Sequence, residues 1–429
     1  MTTAPGIVAG LATPFRNALP VLRSAGLVGC AEIINRVTHI VTAIALARCL
    51  GVVEFGIAAA AITVHELTRM FIQNGLGPRI ITAGESDLQQ IATSVHRLNW
   101  MLGIALGVIQ LCLALAIWGI WGSPQLATAV AALAVVHVIY PLSMVSVFLV
   151  QREGRWRCFS GAIAAQAVVD NVLTAGLAFA GAGIWAVVIP KILVAPLWVI
   201  WHRIATPWSA SGKTDAAVDR QLVADAAKIL GVEVLANLRA HGDKALVGLL
   251  MGPQALGLYA FAANIGNSIT TGLSQCISAV LLPFLRKGHE NGNLLQNFNQ
   301  SLATMLLPVV PVVAAQGMLA WWFVPLVFGD KWNDAAPLLV IISLFSMVRP
   351  IIVAVSQLLR ASDNASTDML TAAITTALFF TGLVAGSTIG LAAATAGACI
   401  GLALGAASSF CLAVRHIRTS TATQSQGRS

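Results

Sequence analysis

The chain has 429 residues, of which 57% are hydrophobic and only 10% are charged, and its mean hydropathy is +0.82. A soluble domain carries about 25% charged residues, so this composition excludes a soluble globular protein and indicates a polytopic membrane protein. The net charge of +8 follows from the topology of the loops, and no nucleic-acid partner is needed to explain it.

Long apolar runs without the alternating polarity of barrel strands predict helices that cross the membrane. The N-terminal segment before them is broken by Pro5, Pro14 and Pro20, and its basic residues follow its apolar ones, which is the reverse of a signal peptide. Each run has roughly the 17–25 residues needed to cross about 30 Å of hydrocarbon. Twelve spans are predicted, near residues 24–47, 56–78, 97–120, 124–149, 159–180, 183–203, 226–249, 256–282, 300–323, 335–357, 368–386 and 390–414.

The basic residues of the loops predict the orientation. With the N-terminus in the cytoplasm, nearly all loop Lys and Arg residues fall on the cytoplasmic side, and the opposite side holds only Arg48 and Lys331. This is the positive-inside bias of a multi-pass membrane protein. Both termini are therefore expected to be cytoplasmic. Trp321, Trp322 and Trp332 are expected in the interfacial belt on the outer side.

An internal repeat divides the chain into two halves. An offset of 201 residues aligns Gly51 with Gly252 and Gly56 with Gly257, and "PLSMVSVFLVQR" in span 4 corresponds to "PIIVAVSQLLR" in span 10. Because six spans is an even number, the halves are parallel repeats about an axis along the membrane normal. The predicted organisation is a cytoplasmic segment (1–23), a six-helix lobe (24–205), a cytoplasmic linker (206–222), a second six-helix lobe (223–416) and a disordered cytoplasmic tail (417–429).

Ionisable residues inside apolar spans are expensive and are expected to face the bundle interior. They form stripes on spans 1, 2 and 7, and span 8 adds hydrogen-bonding amides. The stripes predict a polar, substrate-binding cavity lined by Glu32, Arg36, His39, Glu66, Arg69, Gln73, Glu233, Asn237, Lys244, Asn264 and Asn267. An alternative for Glu32–Arg36 and for Glu66–Arg69 is that each pair only neutralises itself within its own helix.

Five further intramembrane charges are predicted to act either in cation coupling or as structural contacts. Arg239 and Asp243 are spaced as a helical pair, and Asp170 shares a face of span 5 with Gln166 and Thr174. Lys191 follows Pro190 and Arg349 precedes Pro350, at positions where a proline bends a helix.

Several of these stretches resemble the oligosaccharide flippases. "GPQALGLYAFA" is similar to their segment after the seventh helix, and "FGIAAAAITVHELTRMFIQNGLGPRII" to its first-half equivalent; "FLVQREGRWR" and "QLLRASDNA" resemble their helix 4–5 and 10–11 junctions. The chain thus resembles the polysaccharide-transporter (Wzx-type) family of the MOP superfamily, which also contains multidrug MATE exporters and lipid II flippases. It is a compact version, because members often have longer termini or extra helices.

The resemblance implies an all-α fold of two six-helix lobes around a central V-shaped cavity, lined mainly by helices 1, 2, 7 and 8. It implies alternating access that carries an undecaprenyl-diphosphate-linked oligosaccharide from the cytoplasmic to the outer leaflet, for exopolysaccharide, capsule or O-antigen synthesis. The expected partners are this lipid-linked substrate and the bilayer, with a glycan polymerase and other polysaccharide-assembly proteins to be tested for at the loops.

Other functions are less consistent with the residues. A MATE-like cation-coupled exporter of small molecules is the alternative, although paired arginines on helices 1 and 2 are not expected of it. A scaffold or a membrane glycosyltransferase does not explain the repeat. No cofactor or metal is expected, since "PWSASGKT" lacks the first P-loop glycine and the sequence has no GxSxG, no HExxH and no Cys or His metal spacing.

Overall fold

The computed structural model describes residues 35, 38–74, 77–210, 220–290, 293–362 and 364–426, and every element in these ranges is helical. We number the α-helices in chain order and assign α1–α9 to the N-lobe and α10–α15 to the C-lobe. The helices are α1 (Thr38–Cys49), α2 (Val52–Asn74), α3 (Gly77–Thr82), α4 (Leu88–Trp121), α5 (Pro124–Leu133), α6 (Val135–Ile139), α7 (Met144–Arg152), α8 (Trp156–Phe179), α9 (Trp185–Ala205), α10 (Arg220–Glu290), α11 (Leu294–Phe328), α12 (Ala336–Ser346), α13 (Val348–Ala361), α14 (Ala365–Ser387) and α15 (Leu391–Gln426). Two 3₁₀ turns, Tyr140–Leu142 and Asp330–Ala335, connect α6 to α7 and α11 to α12.

Nine helical segments within the described residues are long and apolar enough to cross a membrane. Many large apolar side chains on them are exposed, and Ile120 and Met318 are 80% and 81% exposed. Apolar surface of this extent is stable only in contact with lipid. The chain is therefore a multi-pass helical membrane protein.

The breaks predicted by the glycine repeat are present in both lobes. α1 and α2 are separated at Leu50 and Gly51. α10 is broken at Gly252, whose φ of 85° is a backbone conformation that favours glycine. Both breaks lie at the same end of the bundle, which we call the turn end.

The second glycine of each repeat brings the two lobes into contact. A Cβ on Gly56 would lie 1.8 Å from the carbonyl oxygen of Pro253, and one on Gly257 would lie 2.1 Å from that of Val52. Val52 and Pro253 are themselves related by the 201-residue offset. The contact is therefore reciprocal, as a two-fold axis between the lobes requires.

The prolines shared by spans 4 and 10 interrupt both helices. Span 4 is divided into α5, α6, a 3₁₀ turn and α7 around Pro141, and span 10 is divided into α12 and α13 close to Pro350. A proline has no N–H to donate to the carbonyl four residues earlier, and its ring crowds that carbonyl. The second sequence correspondence is thus a shared helix break.

One sequence prediction needs correction. Trp332 is not an interfacial residue: it is fully buried, stacks on Phe261 at a centroid distance of 4.1 Å and donates a hydrogen bond to the Ala47 carbonyl at 2.8 Å. The disordered tail beyond 417 stays a prediction; the backbone of α15 is helical as far as Gln426.

Candidate functional site

Two ion pairs lie inside the N-lobe. The Arg69 guanidinium donates to the Glu66 carboxylate at 2.8 Å, one helical turn away on α2. The Lys191 ammonium of α9 donates to the Asp170 carboxylate of α8 at 2.6 Å. All four side chains are largely buried, at 16–34% exposure. These are membrane-embedded charges that face protein and not lipid.

Tyr140 and Lys191 connect the two pairs. Arg69 interacts electrostatically with the Tyr140 hydroxyl, which accepts a hydrogen bond from the Gln166 amide at 3.3 Å. Lys191 interacts electrostatically with Glu66 as well as with Asp170. The helix breaks around Pro141 place Tyr140 in the 3₁₀ turn between the pairs. The N-lobe charges therefore form one network on α2, α8 and α9.

The C-lobe contributes charges from α10 and α13. The Lys244 ammonium donates to the side-chain carbonyl of Asn264 at 3.0 Å, across the Gly252 break. Asp243 accepts from the buried hydroxyl of Tyr259 at 3.0 Å, which ties the two parts of α10 together. Lys244 also interacts electrostatically with Arg349 of α13.

The two sets of charges influence each other across the lobe interface. Lys244 and His241 of α10 both interact electrostatically with Glu66 of α2. We call the combined set the cross-lobe cluster: Glu66, Arg69, Asp170, Lys191, Asp243, Lys244 and Arg349. Among these described residues it holds four cations and three carboxylates, and the additional cation is Arg349, which is linked to the set through its electrostatic interaction with Lys244. Charge-assisted hydrogen bonds from Arg and Lys suit a phosphate or carboxylate ligand.

A second polar group lies beside the cluster, and the sequence analysis did not predict it. His137 of α6 contacts the Gln110 amide oxygen of α4 at 2.6 Å, and Thr68 of α2 donates to the same oxygen at 2.8 Å. The His65 ring lies 5.2 Å from that of His137. All four side chains are buried. Gln110 and His137 are isolated polar residues in apolar runs, and that was the only signal for them in the sequence.

The structure brings together many of the predicted site residues. Glu66, Arg69, Lys244 and Asn264 lie in or beside the cross-lobe cluster, and they are joined by four residues from the coupling-or-structural set, namely Asp170, Lys191, Asp243 and Arg349. Asn237 and Asn267 are half-buried on α10, and His39 is exposed on α1. The remaining predictions lie outside the described residues or side chains: Glu32, Arg36, Gln73, Glu233 and Arg239.

The family follows from comparison with known proteins. The family model for polysaccharide biosynthesis proteins matches residues 45–337, which include α2, the charges of α8 and α9, and the Gly252 break. The chain belongs to the polysaccharide biosynthesis protein family. The Wzx-type resemblance stated from the sequence motifs is thereby confirmed.

Curated members of this family are distant in sequence. The chain is 23% identical to the teichuronic acid biosynthesis protein TuaB of Bacillus subtilis over 66% of its own length, and the match spans 59% of that relative. It is 22% identical to the lipopolysaccharide biosynthesis protein WzxC of Escherichia coli, over 80% of this chain and 70% of that protein.

Solved structures show the fold. The lipid II flippase MurJ in an inward closed conformation superposes with a TM-score of 0.74 at 13% identity, covering 89% of this chain and 86% of that one. An inward-facing multidrug MATE transporter of the MOP superfamily superposes with a TM-score of 0.67 at 15% identity, covering 91% and 96%. The predicted two-lobed, all-helical fold is thus confirmed.

Proposed function

We propose that the protein is a flippase that moves an undecaprenyl-diphosphate-linked oligosaccharide from the cytoplasmic to the outer leaflet of the bacterial inner membrane. The observation that carries this proposal is the cross-lobe cluster, to which both lobes contribute cations and in which the C-lobe supplies the excess. Family membership and the named activity of the relatives supply the cargo class. The protein acts as a transporter and not as an enzyme.

Arg69, Lys191 and Lys244 are the groups that hold the diphosphate. A diphosphate presents several acceptor oxygens, and the Arg69 fork can donate to two of them while Lys191 and Lys244 act as point charges. Binding draws charge from both sides of the interface. Cargo binding therefore changes the balance of charge across the interface and with it the relative stability of the closed and open arrangements of the lobes.

The turn end supplies the gate. Arg48 of α1 donates to the carbonyls of Val327 and Leu326 at 2.7 and 3.0 Å, and Lys331 donates to those of Arg48 and Leu50 at 2.9 and 2.8 Å. These bonds join the lobes and close the turn end. In the orientation predicted from the basic loops the turn end faces outside, so the proposed cargo enters this state from the cytoplasm.

The MATE-like alternative predicts a binding site with the opposite net charge. A cation-coupled exporter of cationic small molecules needs an excess of carboxylates at its site, whereas the described part of this site has an excess of cations. Because both classes share the fold, the charge of the site is the feature that favours a phosphate-linked cargo.

Deletion of the gene tests the proposal. Cells of the deletion strain should accumulate a polyprenyl-diphosphate-linked oligosaccharide in the cytoplasmic leaflet, because synthesis continues without transfer. The intermediate is detected in their lipid extracts. The wild-type gene should clear it, and so should Gly119→Ala, which adds a Cβ in open space. The Arg69→Gln variant, expressed at the same protein level, should not clear the intermediate. Extracts without accumulated intermediate would contradict the proposal.

A further inference from the structure

The two-fold relation of the lobes at the turn end is broken in one place. On one side of the interface, Ala47 and Leu50 of the N-lobe are 0% and 1% exposed beneath Trp332. Their repeat equivalents in the C-lobe, 201 residues later, are Gly248 and Met251. Neither of these is covered in the same way: both are only half-buried, and Leu249 between them is 55% exposed.

The lengths of two connections account for this difference. α11 and α12 are joined by the 3₁₀ turn Asp330–Ala335, whose Trp332 fills the interface beside α1. The corresponding connection in the N-lobe, between α4 and α5, is only Gly122 and Ser123. It carries no side chain large enough to fill the same space beside α10.

An open cleft occupies that space. It has a volume of about 530 Å³ and is walled by α2, α4 and α5 on one side and by both parts of α10 on the other. This volume lies within the range of about 300–1,000 Å³ that is usual for ligand sites. Three residues of its wall, Leu113, Trp121 and Leu249, are 42%, 49% and 55% exposed, so the cleft opens towards lipid.

One charged residue, Lys244, is among those that line the cleft, and its ammonium donates to Asn264 behind the wall. Lys244 lies seven residues before the last residue of the first part of α10, about 10 Å from the turn end at 1.5 Å per residue. The other lining residues are apolar or small, apart from Thr63 and Ser123. The cleft therefore combines a cation at its inner part with apolar walls that open to lipid. This combination suits an amphiphile with an anionic head and a long apolar chain.

We propose that this cleft binds the isoprenoid chain of the phosphate-linked lipid, with its phosphate at Lys244, and that the lipid passes between the lobes on this side only. The positive charge of Lys244 is the reason for proposing a lipid with a phosphate headgroup. That this lipid is the transported cargo rests on the proposed function. The opposite side of the interface is closed by Trp332 and by the hydrogen bonds of Arg48 and Lys331. The lipid path is thus asymmetric in a protein built from a repeat.

A second groove on the same helices is a matched control. It also has a volume of about 530 Å³ and is lined by α4 and α5 residues such as Leu111, Leu115 and Thr128. It has no charged residue and no wall from the C-lobe. A groove that binds apolar chains without selectivity should be filled as readily as the cleft.

Photolabelling tests which lipid occupies the cleft. The purified protein in liposomes is labelled with a polyprenyl diphosphate that carries a diazirine on its isoprenoid chain, and labelled peptides are mapped by mass spectrometry. We expect label around Leu249 and Leu113, competition by unlabelled polyprenyl diphosphate but not by polyprenol or phosphatidylglycerol, and about fivefold less label in Lys244→Gln. Equal label in the control groove, or equal competition by phosphatidylglycerol, would overturn the proposal.

Filling the cleft tests whether the lipid passes there. Ser123→Trp places an indole where the short connection leaves space, and Ser123 makes no capping hydrogen bond that would be lost. We expect it to reduce flipping at least tenfold, with Leu249→Trp doing the same and Thr128→Trp leaving the rate unchanged. If the wild type flips and both cleft variants flip equally well, the lateral path is wrong and the flippase function stands. If the wild type itself does not flip although the cleft is labelled, the flippase function is wrong and the site stands.

Discussion

Gly56 and Gly257 set the distance between the lobes at the turn end. A methyl group on either would overlap a backbone carbonyl of the other lobe, and a backbone cannot swing aside as a flexible side chain can. We expect Gly56→Ala to loosen the closed turn end. A cysteine at Ala47, buried beneath Trp332 in a cysteine-free background, should then react with a thiol reagent about tenfold faster, which corresponds to about 1.4 kcal/mol.

Gly119→Ala in α4 is the control for this substitution, because its Cβ would meet nothing within 4 Å. It should leave the reactivity at position 47 unchanged. Unchanged reactivity in Gly56→Ala as well would show that the glycine contact does not hold the lobes.

Arg69 pairs with Glu66 and is proposed to bind the diphosphate, and these two roles can be separated. Arg69→Gln strands the Glu66 carboxylate, and removing one member of a buried pair is destabilising by up to about 3–5 kcal/mol. The double variant Glu66→Gln with Arg69→Gln removes both charges and should recover the melting temperature. It should still fail to flip, because the fork for the diphosphate is gone. A double variant with full flipping activity would show that this pair only neutralises itself.

At the residue scale, spacing along one helix was predictive and contacts between helices were not. Glu66 and Arg69 pair as their separation on α2 indicates. The partner of Asp170 is Lys191, 21 residues away on the next helix, and no periodicity encodes that choice. Arg48 and Lys331 looked like loop charges, yet their ligands are backbone carbonyls of the opposite lobe.

The 3₁₀ turn Asp330–Ala335 is the element on which closure of the turn end depends most. Trp332 is fully buried and packs against Phe55 and Phe261 with ring centroids 5.1 and 4.1 Å away. Trp332→Ala should lower the free energy of unfolding by about 3–5 kcal/mol, as large-to-small core changes do. Thermal unfolding in detergent measures this.

Trp321 on α11 is the matched control, because it is 63% exposed on the apolar outer surface. Trp321→Ala should change stability by about 0.5 kcal/mol or less. Similar losses in the two variants would contradict the assignment of Trp332 as the interlobe core residue.

At the element scale, some of the breakers in the sequence coincide with helix interruptions, whereas Pro190 lies within the continuous helix α9. Gly252 and the prolines at 141 and 350 interrupt their helices because of their own backbone chemistry. The burial of Trp332 could not be predicted in this way, since a tryptophan after an apolar helix is compatible with the membrane interface or with a core. The core position is established by the hydrogen bond from Trp332 to the Ala47 carbonyl, which lies 285 residues earlier in the chain.

The whole molecule is two lobes joined at the turn end by glycine contacts, hydrogen bonds and an aromatic core. The repeat predicted the symmetry, because equivalent positions such as Gly56 and Gly257 meet across it. The asymmetric cleft beside Lys244 was not predictable, since it arises from the length of the α4–α5 connection relative to α11–α12. Transport requires these lobes to separate at the turn end.

A reversible cross-link at the turn end tests this requirement most directly. The Arg48 side chain spans the gap to Val327, so cysteines at both positions in a cysteine-free protein can be bridged by a bifunctional thiol reagent of similar length. The matched control is the pair at Arg360 and Asp368, which contact each other within the C-lobe. Transfer of a fluorescent polyprenyl-diphosphate-linked oligosaccharide across reconstituted liposomes is then measured.

We expect that bridging positions 48 and 327 stops transfer, that reduction of the bridge restores it, and that bridging positions 360 and 368 leaves it unchanged. Transfer that continues at the full rate with the lobes bridged at the turn end would show that the lobes need not separate there.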